Sequence, residues 1–146
     1  MQKKLIALAV AGLMSAPVFA QSNVTIYGIV DMGYKNLGNN VNSAVGNRSA
    51  IDSGQYSGSR LGFRGTEDLG NGLKASFVLE TGINVDNGGF NQGNTAFARQ
   101  SFVALSGGFG TVALGRQYTP QHILMSAVDP FGNGTSGEVV NIWGLG

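Results

Sequence analysis

Residues 56–83 read YSGSRLGFRGTEDLGNGLKASFVLETGI, and their pattern indicates the fold class of the chain. Its first and last parts, residues 56–66 and 73–83, alternate between apolar and polar side chains with the period of two that β-strands have. The apolar faces carry Leu61, Phe63 and Gly65 in the first strand, and Leu73, Ala75, Phe77, Leu79 and Ile83 in the second. A short turn is predicted between them, at residues 67–72. The stretch therefore predicts an antiparallel hairpin with one apolar and one polar face.

Three further segments show the same alternation, at residues 24–35, 96–105 and 111–118. The last two are weaker, because Gln100 falls on the face predicted to be apolar. The 24 glycines of the chain also disfavour helix, since each interior glycine costs about 0.5–1 kcal/mol relative to alanine. The sequence therefore predicts an all-β fold with about five antiparallel strands.

The predicted connections alternate in length. Residues 36–55 and 84–95 are long and polar, whereas residues 67–72 and 106–110 are short. Transmembrane β-barrels have this asymmetry, with short turns on one side of the membrane and longer loops on the other. A soluble β-sandwich can alternate in the same way, so the pattern alone leaves both architectures open.

The first twenty residues predict a signal peptide. Lys3 and Lys4 precede an apolar run at residues 5–13, which is too short to span a bilayer as a helix, and Ala20 closes a small-residue cleavage pattern. The expected domains are a signal peptide at 1–20 and a β-barrel portion at 21–146. Cleavage removes two of nine basic residues, which leaves seven against eight acidic residues. This balance gives no cluster of basic residues that would bind nucleic acid, and the lack of cysteine excludes disulfides and thiolate metal sites.

The run at residues 59–75, SRLGFRGTEDLGNGLKA, resembles the second hairpin of the general porins of Gram-negative, especially β-proteobacterial, outer membranes. Three more stretches agree in order and spacing: VTIYG at 24–28, RQSFVAL at 99–105 and FGTVALGRQ at 109–117. The resemblance implies a sixteen-stranded transmembrane barrel, a homotrimer, and a third loop folded into each pore. Because five strands cannot close a barrel that encloses a lumen, we expect the chain to be the N-terminal part of such a barrel.

The resemblance also implies roles for single residues. Arg60 and Arg99 resemble the family arginines that form the basic wall of the pore constriction. For Arg64, pore lining and an ordinary solvated strand face remain equally open. Glu80 shares the polar face of its strand with Lys74 and is expected to line the lumen.

The constriction loop is expected to begin after Arg116. DPFG at residues 129–132 resembles the loop segment that brings carboxylates opposite the basic wall. Asp129 is the first candidate for that carboxylate and Glu138 the second. Facing walls of charged side chains are a general route to selectivity in pores.

Two other signals point to different chemistry and are set aside. GFGTVA at residues 108–113 matches a dinucleotide-binding pattern, but that motif requires a helix after the glycines, and TVALG is typical of a strand. His122 is the only histidine, and no set of three or four zinc ligands can be assembled around it. We therefore predict no cofactor, no metal and no catalytic residue, and interpret His122 as a loop residue.

The sequence thus predicts an outer-membrane channel for passive diffusion of small hydrophilic solutes and ions, embedded in outer-membrane lipid. The alternative is a β-barrel that serves as surface anchor, adhesin or receptor. An outer-membrane enzyme ranks last. A channel requires a loop with charged residues folded into the lumen, and an anchor does not.

Overall fold

A computed structural model describes residues 23–38 and 48–132. The predicted signal peptide at 1–20, the predicted mature start at Gln21 and the candidate Glu138 lie outside the described residues. Neither helix among the described residues is long and apolar enough to cross a membrane.

The described elements are antiparallel strands with two short helical segments, which confirms the all-β prediction. In chain order they are β1 (Asn23–Ile29), β2 (Met32–Leu37), β3 (Arg48–Ser53), β4 (Arg60–Gly70), β5 (Leu73–Gly82), α1 (Asn91–Asn94), β6 (Gln100–Gly107), β7 (Gly110–Arg116) and α2 (Pro120–Val128). Five strands form one sheet in the order β1-β4-β5-β6-β7, and β2 pairs with β3 in a second. Each pair is antiparallel.

The predicted strand at residues 24–35 is two strands, because Val30 and Asp31 separate β1 from β2. The predicted polar connection at residues 36–55 is also partly wrong, since residues 48–53 form β3. Asp31 explains the break. Its carboxylate accepts hydrogen bonds from three successive backbone N–H groups, those of Gln55 at 2.8 Å, Tyr56 at 3.0 Å and Ser57 at 2.8 Å. These bonds stabilise the irregular segment between β3 and β4 without a sheet partner.

The β4–β5 turn is shorter than predicted. β4 extends to Gly70, so the turn consists of Asn71 and Gly72 alone, both with left-handed backbone angles (φ 52° and 77°). Asn-Gly is the preferred pair for such two-residue hairpins, because their backbone twist matches that of the flanking strands. Residues 108–109 form the equally short β6–β7 turn.

The last two strands also differ from their predicted limits. β6 begins at Gln100 rather than at residue 96, because Phe97 has a left-handed backbone (φ 53°) that ends the extended conformation. β7 ends at Arg116 rather than at residue 118. Gln100 pairs with Glu80 and shares its face, so the prediction that Gln100 lies on the apolar face was wrong.

The strand register separates two faces. One face carries exposed apolar side chains: Val24, Ile26, Leu61, Val103, Leu105, Val112 and Leu114. Among the described residues Ala98 is the single buried apolar side chain, whereas Ser59, Glu80, Thr81 and Asp129 are buried. A soluble sandwich would bury the apolar face against a second sheet. The reversed pattern suits a barrel wall, whose apolar face meets lipid or a neighbouring apolar surface.

Candidate functional site

Four side chains meet on the polar face of the sheet and form what we name the Glu80 cluster: Tyr27, Glu80, Arg99 and Tyr118. Glu80 Oε1 accepts hydrogen bonds from Arg99 Nε at 2.7 Å and from the Tyr118 hydroxyl at 3.0 Å. Glu80 Oε2 accepts one from the Tyr27 hydroxyl at 2.9 Å. The cluster therefore joins β1, β5, the segment before β6 and the segment after β7.

Glu80 and Arg99 form an ion pair that is largely removed from water. The Glu80 side chain is 5% exposed and that of Arg99 16%. Burying two charges costs several kcal/mol per ion unless hydrogen bonds compensate for the lost hydration. Here the hydroxyl groups of Tyr27 and Tyr118 both donate hydrogen bonds to the Glu80 carboxylate. Burial raises the pKa of the Tyr118 hydroxyl, which therefore stays protonated and can donate.

The position of Tyr27 depends on the glycine paired with it. Gly62 is the register partner of Tyr27, and a Cβ at Gly62 would lie 2.3 Å from Tyr27 Cζ. The ring therefore occupies the space that a side chain at position 62 would fill. The Arg64 guanidinium carbon lies 5.2 Å from the ring centroid, within the range of a cation–π contact. Arg64 is thus exposed on the polar face and held beside the cluster.

Arg60 lies at the start of β4 on the same face. Its guanidinium donates to the Gly58 carbonyl oxygen at 3.0 Å and to Ser57 Oγ. Among the described residues no carboxylate lies within 4.0 Å of it, unlike Arg99. Within residues 23–38 and 48–132, the charge of Arg60 is therefore not balanced by a carboxylate, whereas that of Arg99 is balanced by Glu80.

A cavity of about 590 Å³, which we name the arginine cavity, separates this wall from the segment that follows β7. It is lined by Gly58, Arg60, Gln92, Arg99, Tyr118, His122, Ile123, Ser126 and Gly132. The Tyr118 and His122 rings stack with centroids 4.4 Å apart. Thr119 Oγ1 accepts a hydrogen bond from the His122 backbone N–H at 3.1 Å and caps α2, which Pro120 begins. The segment after β7 therefore returns across the polar face as a capped helix.

The structure brings some of the predicted residues together and not others. Arg60 and Arg99 line one cavity, and the carboxylate that meets Arg99 is Glu80 on the wall. Asp129 is buried at the end of α2, where its Oδ1 accepts a hydrogen bond from the Phe131 N–H at 2.9 Å. Residues 110–113, inside the apparent dinucleotide motif, belong to β7, so no helix follows the glycines.

Sequence reasoning missed Tyr27, Tyr118 and Gln92 as members of the site. For Tyr27 a signal was present, since an aromatic residue on the polar face with a glycine partner indicates a ring lying flat on the sheet. No comparable signal existed for Tyr118 or Gln92, because both lie outside the strands and their positions depend on how the connections fold.

Comparison with known proteins identifies the family. The Gram-negative porin family matches residues 7–145. The chain belongs to this family. It is similar to outer membrane porin protein 32 of Delftia acidovorans, with 46% identity over 134 residues, which cover 90% of this chain and 36% of that protein. The major outer membrane protein P.IB of Neisseria gonorrhoeae is 39% identical over 149 residues, covering 99% of this chain and 40% of that protein.

A solved structure shows the same likeness. The anion-selective porin from Comamonas acidovorans superposes with a TM-score of 0.67 at 43% identity, covering 77% of this chain and 33% of that one. The porin chain spans 36% to 40% of the length of the curated relatives named above. Membership places the porin in the outer membrane and in a family of channels rather than enzymes.

Proposed function

We propose that the complete porin carrying this chain is a water-filled channel for passive diffusion of small hydrophilic solutes and ions. The arginine cavity supports this most directly. It sets Arg60 and Arg99 on the wall opposite the α2 segment, as a charged constriction under a folded-in loop requires. A surface anchor needs no such arrangement, so a channel is the better account of the site.

We further propose that the channel prefers anions. On the wall side of the cavity, Arg60, Arg64 and Arg99 contribute three positive charges and Glu80 contributes one negative charge, a balance of +2 (3 − 1), which the buried Asp129 at the end of α2 lowers to +1 (3 − 2). A water-filled passage lined by one sign of charge concentrates the opposite ion. The name of the Comamonas acidovorans neighbour describes that protein as anion-selective.

Assembly and export are part of the same proposal. The family resemblance supports a homotrimer, and residues 1–20 would act as a signal peptide removed before Gln21. Within the trimer the apolar sheet face would contact lipid or neighbouring subunits. The molecular mass of the detergent-solubilised complex tests the trimer, and a monomer would contradict it.

Planar-bilayer recording of the complete porin tests the channel. We expect uniform unitary conductance and, across a KCl gradient at low salt, a zero-current potential of the sign that anion preference produces. Absence of uniform openings would refute the channel. Uniform openings with cation preference would leave the channel intact and refute the assignment of the arginine wall.

A further inference from the structure

The connection between β5 and β6, residues 83–99, is a second segment, besides the one after β7, that lies on the polar face of the sheet. Ile83 and Phe90 form an isolated antiparallel bridge, which closes the loop on itself. Inside it the Asn84 N–H donates to the Gly89 carbonyl at 2.8 Å, and the Phe90 N–H donates to Asn94 Oδ1 at 3.1 Å. These bonds lie within the loop and stabilise its shape.

Within this loop, α1 packs against the end of β5 at Gly82. A Cβ at Gly82 would lie 2.8 Å from Gln92 Oε1 and 2.9 Å from Asn91 Cβ, closer than a real side-chain atom tolerates. Gln92 also has a left-handed backbone (φ 52°, ψ 55°), which is costly for a residue with a Cβ. Such strain persists only where the surrounding contacts hold it, and it concentrates at functional positions.

This conformation places Gln92 beside Arg60 and Arg99. Gln92 lines the arginine cavity with Arg60 and Arg99. It also lines an adjoining cavity of about 640 Å³, together with Arg99, Arg116 and His122. Gln92 is exposed among the described residues, and its Oε1 lies over Gly82 on the polar face of the sheet, beside the register partner Arg60.

We infer that residues 83–99 form a second constriction loop, in which Gln92 limits the size of permeating solutes by narrowing the passage with a neutral amide beside the arginines, whose positive charge it leaves unopposed. The inference rests on the proposed channel function. A carboxylate at position 92 would offset the arginine charge, whereas the natural amide restricts size and leaves the positive potential intact.

The test compares two substitutions of equal chemistry in the complete porin. Gln92→Glu places a negative charge beside Arg60 and Arg99. Asn87→Asp makes the same amide-to-acid change in the same loop, at an exposed residue outside both cavities. Its Oδ1 accepts the Gly89 N–H at 2.8 Å, a bond that aspartate keeps.

We expect Gln92→Glu to lower the anion-to-cation permeability ratio about twofold or more at 0.1 M KCl, because a unit charge within one Debye length of the ion path, about 10 Å at this salt concentration, is only partly screened. Asn87→Asp should leave the ratio at the wild-type value. Gln92→Ala should raise conductance and admit larger neutral sugars in liposome swelling without changing the ratio. If Gln92→Glu does not assemble, the alanine variant alone decides.

Each outcome separates the inference from the proposed function. Wild-type porin without conductance would refute the channel itself. Conducting wild-type porin with an unchanged ratio in Gln92→Glu, or an unchanged conductance and size limit in Gln92→Ala, would overturn the second constriction loop. Equal shifts in Gln92→Glu and Asn87→Asp would overturn it as well, because the effect would then not depend on position.

Discussion

Glu80→Gln is the substitution that tests the site most directly. It removes the charge that balances Arg99 and nearly preserves the side-chain volume. Oε1 of glutamine can still accept hydrogen bonds from Arg99 and Tyr118, and its NH₂ can donate to Tyr27 if the phenol turns to accept. The change therefore isolates the loss of charge in a site whose packing is retained.

The magnitude follows from the burial of the pair. Removing one partner of a buried ion pair costs about 3–5 kcal/mol, because the other charge stays desolvated. In this variant the Arg99 guanidinium keeps 16% exposure and two acceptors, the Oε1 of the new amide and the Tyr118 hydroxyl, so we expect the lower end, a loss of about 3 kcal/mol in the free energy of unfolding. Tyr118→Phe removes two hydrogen bonds to charged groups, the one donated to Glu80 and the one accepted from Arg99 Nη2, and should cost about 2 kcal/mol.

The assay combines denaturant unfolding of the refolded complete porin with zero-current potentials across a KCl gradient. Glu67→Gln is the matched control, because it makes the same change on β4 at a carboxylate outside the cluster, and its effect on stability should stay within about 0.5 kcal/mol. Glu80→Gln should also shift permeability towards anions, since Arg99 then carries an unbalanced charge. If Glu80→Gln and Glu67→Gln change the free energy of unfolding and the zero-current potential equally, the Glu80 cluster does not stabilise the wall as its geometry indicates.

Three further predictions use the same protein. Arg60→Ser should maintain or raise conductance and shift the permeability, measured by the zero-current potential, towards cations. This shift should be smaller at 1 M than at 0.1 M salt, because the Debye length falls from about 10 Å to about 3 Å. An unchanged zero-current potential at low salt would disprove the role of Arg60. The 146-residue chain alone should give no reproducible unitary conductance, because β1 and β7 each leave an edge without a partner among the described strands; steady uniform openings would contradict this. N-terminal sequencing of protein from the cell envelope should begin at Gln21, and retention of Met1 would rule out cleavage there.

The strand faces could be predicted from the sequence because alternation is a local property. A strand turns successive side chains to opposite sides, so the placement of Arg60, Arg64 and Glu80 on one face followed from residues 56–83 alone. The family followed from motifs in the same strands. Where the backbone leaves the extended conformation, this reasoning fails: the left-handed Phe97 moved the start of β6, and Gln100 lies on the opposite face from the one predicted.

The interaction partners of these residues depend on tertiary contacts that the sequence pattern does not reveal. Tyr27 lies 53 positions from Glu80 in the sequence, and Tyr118 lies 38 positions from it. A local sequence pattern cannot predict which distant side chains the sheet brings into contact. The sequence pointed to carboxylates in the loop as the counterpart of the arginines, and this stays a prediction; among the described residues, the carboxylate that pairs with Arg99 is Glu80 on the wall. Gln92 reaches the arginine cavity because a glycine on another element leaves room for it. Contacts of this kind depend on strand register and on the path of the connections, and both are set by the pairing of the whole sheet.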